Sequence, residues 1–221
     1  MIIILDGPDG GGKTTQLHRL DGALQGRGYN TVVLRDPGGT GFGERIRAIV
    51  KDGTVTACAN AQMLAFSAAR AQLADEVIRP ALAEGKIVLL DRWWFSTYAY
   101  QSIQGADADL IQQIAEATSD IPIKADLCFW LDVSPETSMR RVQGRDGDEP
   151  QGHDRFDRKG LEFREQLCAA YDYLWHGSVL TKIDAEQDEG KVFREMWSYI
   201  ERHLPTTQTC VRDLEIGTET A

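Results

Sequence analysis

The sequence is poor in cysteine, in long apolar runs and in basic charge, and each shortage argues against a class of protein. Its four cysteines are scattered along 221 residues without a C-x-x-C pair, which is unlike a disulfide framework or a zinc site. No run reaches transmembrane length, and Asp6 interrupts the apolar opening too early for a signal peptide. We therefore expect a soluble, cytoplasmic protein with reduced thiols.

An excess of acidic residues narrows the choice of partners. The formal net charge of -10 argues against a nucleic acid or an anionic membrane as the main partner, so we expect neither. The chain length suits one domain, which we place at residues 1–204. Residues 205–221 contain few apolar side chains and are predicted to form a flexible tail.

Five short apolar runs predict buried parallel strands, because such strands are apolar on both faces. Patterns typical of helices separate these runs. Strands that alternate with helices predict an α/β fold, a doubly wound five-stranded parallel sheet flanked by helices, with ligands at the carboxyl ends of the strands. The predicted strands are 2–5, 31–35, 86–91, 126–132 and 179–183, and the predicted helices are 13–27, 43–51, 59–83, 108–118, 135–142, 161–175 and 189–203.

A glycine-rich loop follows the first predicted strand. Residues 7–14 read GPDGGGKT and match G-x-x-x-x-G-K-[ST], the P-loop pattern. Gly7, Gly10 and Gly12 allow backbone N–H groups to surround phosphates at the positive end of the following helix. Lys13 is expected to reach the β- and γ-phosphates of ATP, and the Thr14 hydroxyl is expected to hold Mg²⁺.

The acceptor side must distinguish a small-molecule kinase from a GTPase switch or a motor ATPase, because all three carry a P-loop. Residues 35–47 follow the second strand and residues 91–101 follow the third, so both reach the same edge of the sheet. On the helix between them, Phe66 and Arg70 are four residues apart and share a face. This pair suits a flat base with carbonyl groups, but the spacing is equally typical of a core phenylalanine and a solvated arginine.

Several motifs occur together, in order, between residue 1 and about residue 203. They are GPDGGGKTTQ (7–16), RDPGGT (35–40), GERIR (43–47), FSAAR (66–70), IRPALAEGKIVLLDR (78–92), STYAYQ (96–101), DLCFWLDVSPE (126–136), DRFD (154–157) and KIDAEQ (182–187). In these motifs the chain resembles the thymidylate kinases of bacterial type, a family of P-loop nucleoside monophosphate kinases. The resemblance implies phosphorylation of dTMP to dTDP by ATP, a step of dTTP biosynthesis, carried out by a homodimer.

The resemblance also assigns residues to the acceptor. Phe66 would pack on the thymine ring, Arg70 would bond its carbonyl edge, and Tyr100 would disfavour a 2′-hydroxyl. Asp9 would accept from the 3′-hydroxyl, and three arginines would hold the phosphate. The full set implied for dTMP is Asp9, Arg35, Arg47, Phe66, Arg70, Arg92, Thr97, Tyr100 and Gln101.

The donor is assigned in the same way. Arg141 would lie over the adenine ring, whose other face would meet the loop at 185–187. The set implied for ATP is Gly7, Gly10, Gly12, Lys13, Thr14, Thr15, Arg141, Ala185 and Gln187, with Thr14 and Asp91 serving Mg²⁺. Asp91 ends a buried strand, so it suits a water-mediated Mg²⁺ contact and, equally, a salt bridge to Arg92.

Catalysis is expected to depend on positioning and cations, because the 5′-phosphate of a nucleotide is already largely dianionic near neutrality. Lys13, Arg92 and Asp9 are the catalytic candidates in the core of the chain. The P-loop has no arginine between its glycines, unlike that of some relatives, so a polar lid at about 144–155 is expected to supply one. Arg145 is the candidate and Arg155 the second choice, while an ordinary solvated arginine is the alternative for both.

Three departures from the family pattern bear on the acceptor. Asp36 stands where the family usually has glutamate, Trp93 stands where it usually has tyrosine, and residues 102–105 lack its arginine. These departures leave open a kinase for another pyrimidine deoxynucleoside monophosphate, such as a 5-modified dUMP. A P-loop switch or binding module is the remaining alternative, but it would not need a second set of residues at the edge of the sheet.

Overall fold

Five parallel strands form the sheet of the computed structural model, which describes residues 1–118, 125–144, 156, 159–177 and 180–205. The strands are β1 (Ile2–Asp6), β2 (Thr31–Arg35), β3 (Ile87–Asp91), β4 (Leu127–Asp132) and β5 (Leu180–Asp184), and their order is β2-β3-β1-β4-β5. Every neighbouring pair is parallel, so the predicted sheet is confirmed. Because β1 lies in the middle, the P-loop that follows it leaves the centre of the sheet edge.

Helices connect the strands and cover both faces of the sheet. They are α1 (Lys13–Gly26), α2 (Gly41–Lys51), α3 (Ala59–Leu73), α4 (Arg79–Ala83), α5 (Trp94–Ser102), α6 (Ala108–Thr118), α7 (Pro135–Gln143), α8 (Leu161–Gly177) and α9 (Glu189–Ile200). Side-chain caps begin two of them beside the site. The Thr40 hydroxyl accepts from the Gly43 N–H at 2.9 Å, and the Ser134 hydroxyl accepts from the Thr137 N–H at 3.2 Å.

The central strand divides its side chains between two apolar cores. Ile3 and Leu5 pack with α1 and α9, whereas Ile2 and Ile4 pack with α5 and α8. This division follows the two-residue period of a strand, which sends successive side chains to opposite faces. Burial on both faces explains why the strand reads as a continuous apolar run, and it anchors the loop that follows.

Two helical segments differ from the prediction. Residues 94–102 form α5, which the apolar pattern did not reveal because Trp94, Phe95 and Ala99 are buried and little polar face remains. The predicted helix 59–83 is interrupted by a π-helical turn at Ala74–Ile78. Pro80 follows that turn closely and has no N–H to donate to an earlier carbonyl, so a regular helix cannot continue unchanged through it.

Parts of the prediction fall beyond the described residues. Except for Gly144 and Pro205, the expected lid at 144–155 and the expected tail at 205–221 lie outside them. Among the helices that are described, none is both long and apolar enough to cross a membrane.

Candidate active site

The P-loop requires glycine for both conformation and space. Gly7, Gly10 and Gly12 have φ angles of 133°, 83° and 87°, in the left-handed range that side chains rarely adopt. A Cβ on Gly10 would also lie 2.7 Å from the carbonyl oxygen of Ser138. The loop therefore keeps its backbone close to α7 while it delivers the chain to the start of α1, where free N–H groups favour an anion.

Lys13 lies inside the P-loop. Its Nζ donates to the carbonyl oxygens of Gly7 at 2.9 Å and Pro8 at 2.8 Å, and the residue is only 6% exposed. Burial, followed by repulsion from Arg92, lowers the pKa of Lys13 to about 8. The ammonium group is thus held by loop carbonyls, which it can exchange for phosphate oxygens.

A first cleft opens beside the P-loop glycines, and we call it the donor cleft because several residues predicted for ATP line it. Its volume is about 610 Å³, and it is lined by Gly10, Gly11, Gly12, Thr15, Gln16, Arg141, Ala185, Gln187, Glu189 and Val192. Arg141 Nη1 donates to the carbonyl oxygens of Gly10 at 3.2 Å and Ala185 at 3.0 Å. This guanidinium joins the P-loop to the loop after β5, so the residues predicted for the adenine end lie together.

Glu186 fixes the loop after β5 to the start of α7. It accepts from the Ser134 N–H at 2.7 Å and from the Thr137 hydroxyl at 2.9 Å. Burial acts to raise the pKa of Glu186, but these hydrogen bonds outweigh it and lower that pKa. Neighbouring Ala185 donates its N–H to the Asp132 carbonyl at 2.8 Å, so this wall of the donor cleft is attached to the sheet.

Thr14 and Asp91 meet where β3 ends. The Thr14 hydroxyl donates to Asp91 Oδ2 at 3.3 Å, while Asp91 Oδ1 is buried with no hydrogen-bond partner among the described residues. Hydroxyl and carboxylate oxygens suit Mg²⁺. No group of three or more metal-binding His, Cys, Asp or Glu side chains occurs in the described parts of the chain. A Mg²⁺ ion here would need phosphate and water oxygens to complete its shell.

A second cleft, the acceptor cleft, shares the P-loop with the first, because Asp9 lines it and Gly10 lines the donor cleft. Its volume is about 630 Å³, and its lining residues are Asp9, Asp36, Pro37, Arg47, Lys51, Phe66, Arg70, Arg92, Trp93, Ser96, Thr97, Tyr100, Gln101 and Phe156. Every residue predicted for the acceptor lies in this lining except Arg35. Five separate segments of the chain therefore converge here.

Arg70 is buried at one end of the acceptor cleft, at 1% exposure, so its interpretation as a solvated surface arginine is wrong. Its Nε donates to Asp36 Oδ2 at 2.7 Å, and its Nη2 donates to the Thr97 hydroxyl at 2.6 Å. The guanidinium carbon lies 5.3 Å from the centre of the Trp93 ring. Arg70 Nη1 is buried with no hydrogen-bond partner among the described residues, which leaves a donor for a ligand.

Two departures from the family pattern meet at Arg70. Asp36 is the buried carboxylate that pairs with it, and burial raises the pKa of Asp36 despite that guanidinium. Trp93 is 2% exposed and covers one side of the same group. Asp36 and Trp93 thus contact the same arginine.

Arg92, Asp9 and Tyr100 form a hydrogen-bonded cluster in the lining of the acceptor cleft. Arg92 Nη2 donates to Asp9 Oδ1, and the Tyr100 hydroxyl donates to Asp9 Oδ2 at 2.7 Å. Burial would raise the pKa of Asp9, but Arg92 and then Lys13 hold it well below its usual range. Burial would lower the pKa of Arg92, but the Asp9 carboxylate raises it well above its ordinary value. Both groups are therefore charged near neutral pH.

The remaining predicted residues divide into three groups. Arg47 lines the acceptor cleft and donates from Nη1 to the Pro37 carbonyl at 3.2 Å. Arg35 instead lies 3.6 Å from Glu44, with about half of its side chain exposed, so its expected phosphate contact stays a prediction. Arg145 and Arg155 lie outside the described residues.

The chain is similar to one family over most of its length. The family model described as thymidylate kinase matches residues 5–196. The chain belongs to the thymidylate kinase family. Thymidylate kinases of three bacteria illustrate the similarity. That of Pelodictyon phaeoclathratiforme is 42% identical over 179 residues, covering 77% of this chain and 81% of that protein. That of Thermoanaerobacter sp. (strain X514) is 35% identical over 205 residues (91% and 98%), and that of Deinococcus radiodurans is 36% identical over 204 residues (90% and 96%).

Membership of the thymidylate kinase family confirms the predicted family, the P-loop fold and the assignment as an enzyme of the kinase class. It leaves the P-loop switch without support. The individual site residues remain predictions, now with the positions described above.

Within this thymidylate kinase family member, Asp6 is a buried residue of the site that the motif analysis missed. It ends β1, is fully buried, and accepts hydrogen bonds from the P-loop, from the start of α5 and from Tyr171 of α8. A carboxylate at the end of an otherwise apolar strand was a signal for it, because a charge is buried only with partners.

Proposed function

We propose that this chain transfers the γ-phosphoryl group of ATP to dTMP, giving dTDP and ADP, as a step of dTTP biosynthesis. The observation that carries the proposal is the placement of Asp9. This P-loop residue lines the acceptor cleft and pairs with Arg92 there, so the phosphate-binding loop borders both clefts. Because both nucleotides are cytoplasmic metabolites, we also propose a cytoplasmic location.

Phosphoryl transfer between the clefts would need no general base. The acceptor phosphate is largely dianionic near pH 7, since its second pKa is about 6. The task is to bring two anions into line, which depends on fixed cations. Lys13 on the P-loop and Arg92 beside Asp9 supply two such cations at the boundary between the clefts.

The end of the acceptor cleft suits the base of dTMP. Thymine presents carbonyl acceptors and one N–H donor. Arg70 Nη1 and Gln101 Oε1 are a buried donor and a buried acceptor, each without a hydrogen-bond partner among the described residues. A buried polar atom without a partner is costly, so a ligand that bonds both atoms would be favoured. Phe66 in the same lining offers a ring for stacking.

Mg²⁺ is proposed to bind beside the P-loop. The Thr14 hydroxyl and Asp91 fit this ion, because both offer oxygen ligands and Asp91 Oδ1 has no hydrogen-bond partner among the described residues. When bound, Mg²⁺ would neutralise charge on the phosphates of ATP. Within the protein, Arg92 pairs with Asp9 and forms no ion pair with Asp91 among the described side chains, which leaves Asp91 available for the metal.

A lid arginine is proposed to add a further cation during transfer. The P-loop carries none between its glycines, and Arg145 remains the candidate with Arg155 second. Arg145→Ala is expected to lower kcat strongly with little change in either KM, because a contact made mainly in the transition state acts on kcat. Arg155→Ala is the matched control. A kcat loss in the control alone would reverse the assignment, and no loss in either would refute it.

A homodimer is proposed as well. Phe42 and Ile49 of α2 and Leu64 of α3 are exposed apolar side chains, at 48%, 53% and 54%, on helices that contact each other. Such a face is typical of a surface that a second copy covers. Sedimentation of the wild-type protein should give twice the chain mass, and Ile49→Glu should give the monomer. A monomeric wild type would contradict the proposal.

The substrate assignment is tested with a panel of acceptors. Rates of ADP formation would be compared for dTMP, dUMP, 5-hydroxymethyl-dUMP, dCMP and no acceptor, each with ATP and Mg²⁺. We expect dTMP to give the highest kcat/KM. A higher value for a 5-modified dUMP would replace dTMP as the acceptor, and ADP formation that is independent of any acceptor would refute the kinase.

A further inference from the structure

We propose that Asp6 and Ser96 are positioning residues, which hold the guanidinium of Arg92 in the orientation that receives the acceptor phosphate. The proposal rests on the function proposed above. Arg92 has a φ of 71°, which is uncommon for a residue with a side chain. Its Nη1 donates to the Ser96 hydroxyl at 2.7 Å and to the Gly7 carbonyl at 3.0 Å. Asp6 contacts the residues that supply both of these acceptors.

Asp6 accepts five hydrogen bonds, one from the neighbouring Gly7 and four from two distant segments of the chain. Its Oδ1 accepts from the Gly7 N–H at 2.8 Å, the Ser96 hydroxyl at 2.6 Å and the Tyr171 hydroxyl at 2.6 Å. Its Oδ2 accepts from the N–H groups of Trp93 at 3.0 Å and Ser96 at 3.2 Å. The same carboxylate therefore sets the start of the P-loop and the first turn of α5.

The Ser96 hydroxyl donates to one partner and accepts from the other. A serine hydroxyl has one proton, and Ser96 donates it to Asp6. The lone pairs of Ser96 Oγ are then left for Arg92 Nη1. Asp6 thus makes Ser96 an acceptor toward the arginine, which can only donate.

A carboxylate suits this position better than an amide. All five partners of Asp6 donate, and an asparagine would turn its NH₂ group against at least two of them in either orientation. Asp6 orients Ser96, and Ser96 orients Arg92; we call this chain of contacts the relay. It would hold the Arg92 charge in place before the acceptor phosphate binds, as a preorganised electrostatic site requires. Asp6 and Ser96 would then affect transfer through Arg92.

Ser96→Ala tests the relay, with Tyr171→Phe as its matched control. Both variants remove one hydroxyl that donates to Asp6 Oδ1, but of these two hydroxyls only that of Ser96 accepts a hydrogen bond from Arg92. We expect Ser96→Ala to raise the KM for dTMP about tenfold, as for a hydrogen bond to a charged group, with the KM for ATP within twofold. Tyr171→Phe should leave both KM values within twofold while lowering Tm.

A double-mutant cycle separates positioning from direct contact. If Ser96 acts through Arg92, the double variant Ser96→Ala, Arg92→Ala should be no worse with dTMP than Arg92→Ala alone. Additive losses, or a KM for dTMP that rises equally in Tyr171→Phe, would overturn the proposal. Asp6→Asn should match or exceed the Ser96→Ala defect. The Ser96 cycle decides the matter even if Asp6→Asn does not fold.

Failure of the proposed function has a different signature. If the wild-type protein does not use dTMP, that function is wrong, and the cycle is run with whichever acceptor is turned over. A crystal structure of Ser96→Ala supplies a readout without turnover. We expect Arg92 to lose its contact with the Gly7 carbonyl. An unchanged Arg92 would overturn the relay whatever the acceptor proves to be.

Discussion

The donor and acceptor clefts differ in the chemical groups that line them. Backbone groups are prominent in the donor cleft. Gly10, Gly11 and Gly12 line it, and Arg141 donates hydrogen bonds to two carbonyl oxygens. The acceptor cleft instead contains two charged pairs, in which Arg70 pairs with Asp36 and Arg92 pairs with Asp9. A triphosphate can be bound by N–H groups that every residue carries, whereas one particular nucleoside needs side chains. The difference explains why a short motif identifies one cleft and not the other.

Lys13→Ala should give the largest effect, because in the proposed function the Lys13 ammonium group contacts the phosphoryl group that is transferred. We expect kcat to fall by about 10²–10³, the usual loss for one electrostatic contact to a transition state. Circular dichroism should show an intact fold. Lys191→Ala is the control, since its side chain is 61% exposed. Full activity in folded Lys13→Ala would show that the P-loop is not the site.

Arg92→Ala should affect binding in the two clefts differently. Loss of a charge-assisted contact to phosphate costs about 1.5–3 kcal/mol, so we expect dTMP affinity to fall by about 10-fold to 100-fold. ATP affinity should change little. Calorimetry with each nucleotide alone would measure both. Equal losses for the two nucleotides would contradict an acceptor role for Arg92.

We expect kcat/KM for ATP to depend on pH. The pKa of Lys13 is about 8 in the ligand-free protein, and only the protonated form attracts a polyphosphate. As pH rises through that value, the cation is lost and kcat/KM for ATP should fall, by about tenfold at pH 9. Bound phosphates would keep Lys13 protonated, so kcat should stay nearly level. A fall in kcat/KM for dTMP without one for ATP would exclude Lys13 as the titrating group.

Arg141→Ala should give the smallest effect and mirrors the Arg92 variant in the opposite cleft. A cation over an aromatic ring contributes about 1 kcal/mol, so we expect the KM for ATP to rise about fivefold. The KM for dTMP should not change. A larger effect on dTMP would show that the two clefts do not bind independently.

Features that depend on neighbouring residues were predictable from the sequence, and contacts between distant segments were not. The five strands and the P-loop follow from short runs and were placed to within a residue or two. The partner of Arg70 is 34 positions away at Asp36, and no periodicity reveals such a pair. Helix α5 was missed because its buried residues show no polar face, and Asp6 was missed because four of its five donors come from two distant segments, at 93–96 and at Tyr171.

The most direct test of phosphoryl transfer between the clefts is to measure the phosphorus-containing products. With ATP, Mg²⁺ and dTMP present, ³¹P NMR should show dTDP and ADP appearing in equal amounts with little inorganic phosphate, and the reaction should be about 10²–10³-fold slower in Lys13→Ala. Omission of dTMP should stop ATP consumption. Inorganic phosphate released at the same rate with and without dTMP would contradict transfer between the two clefts.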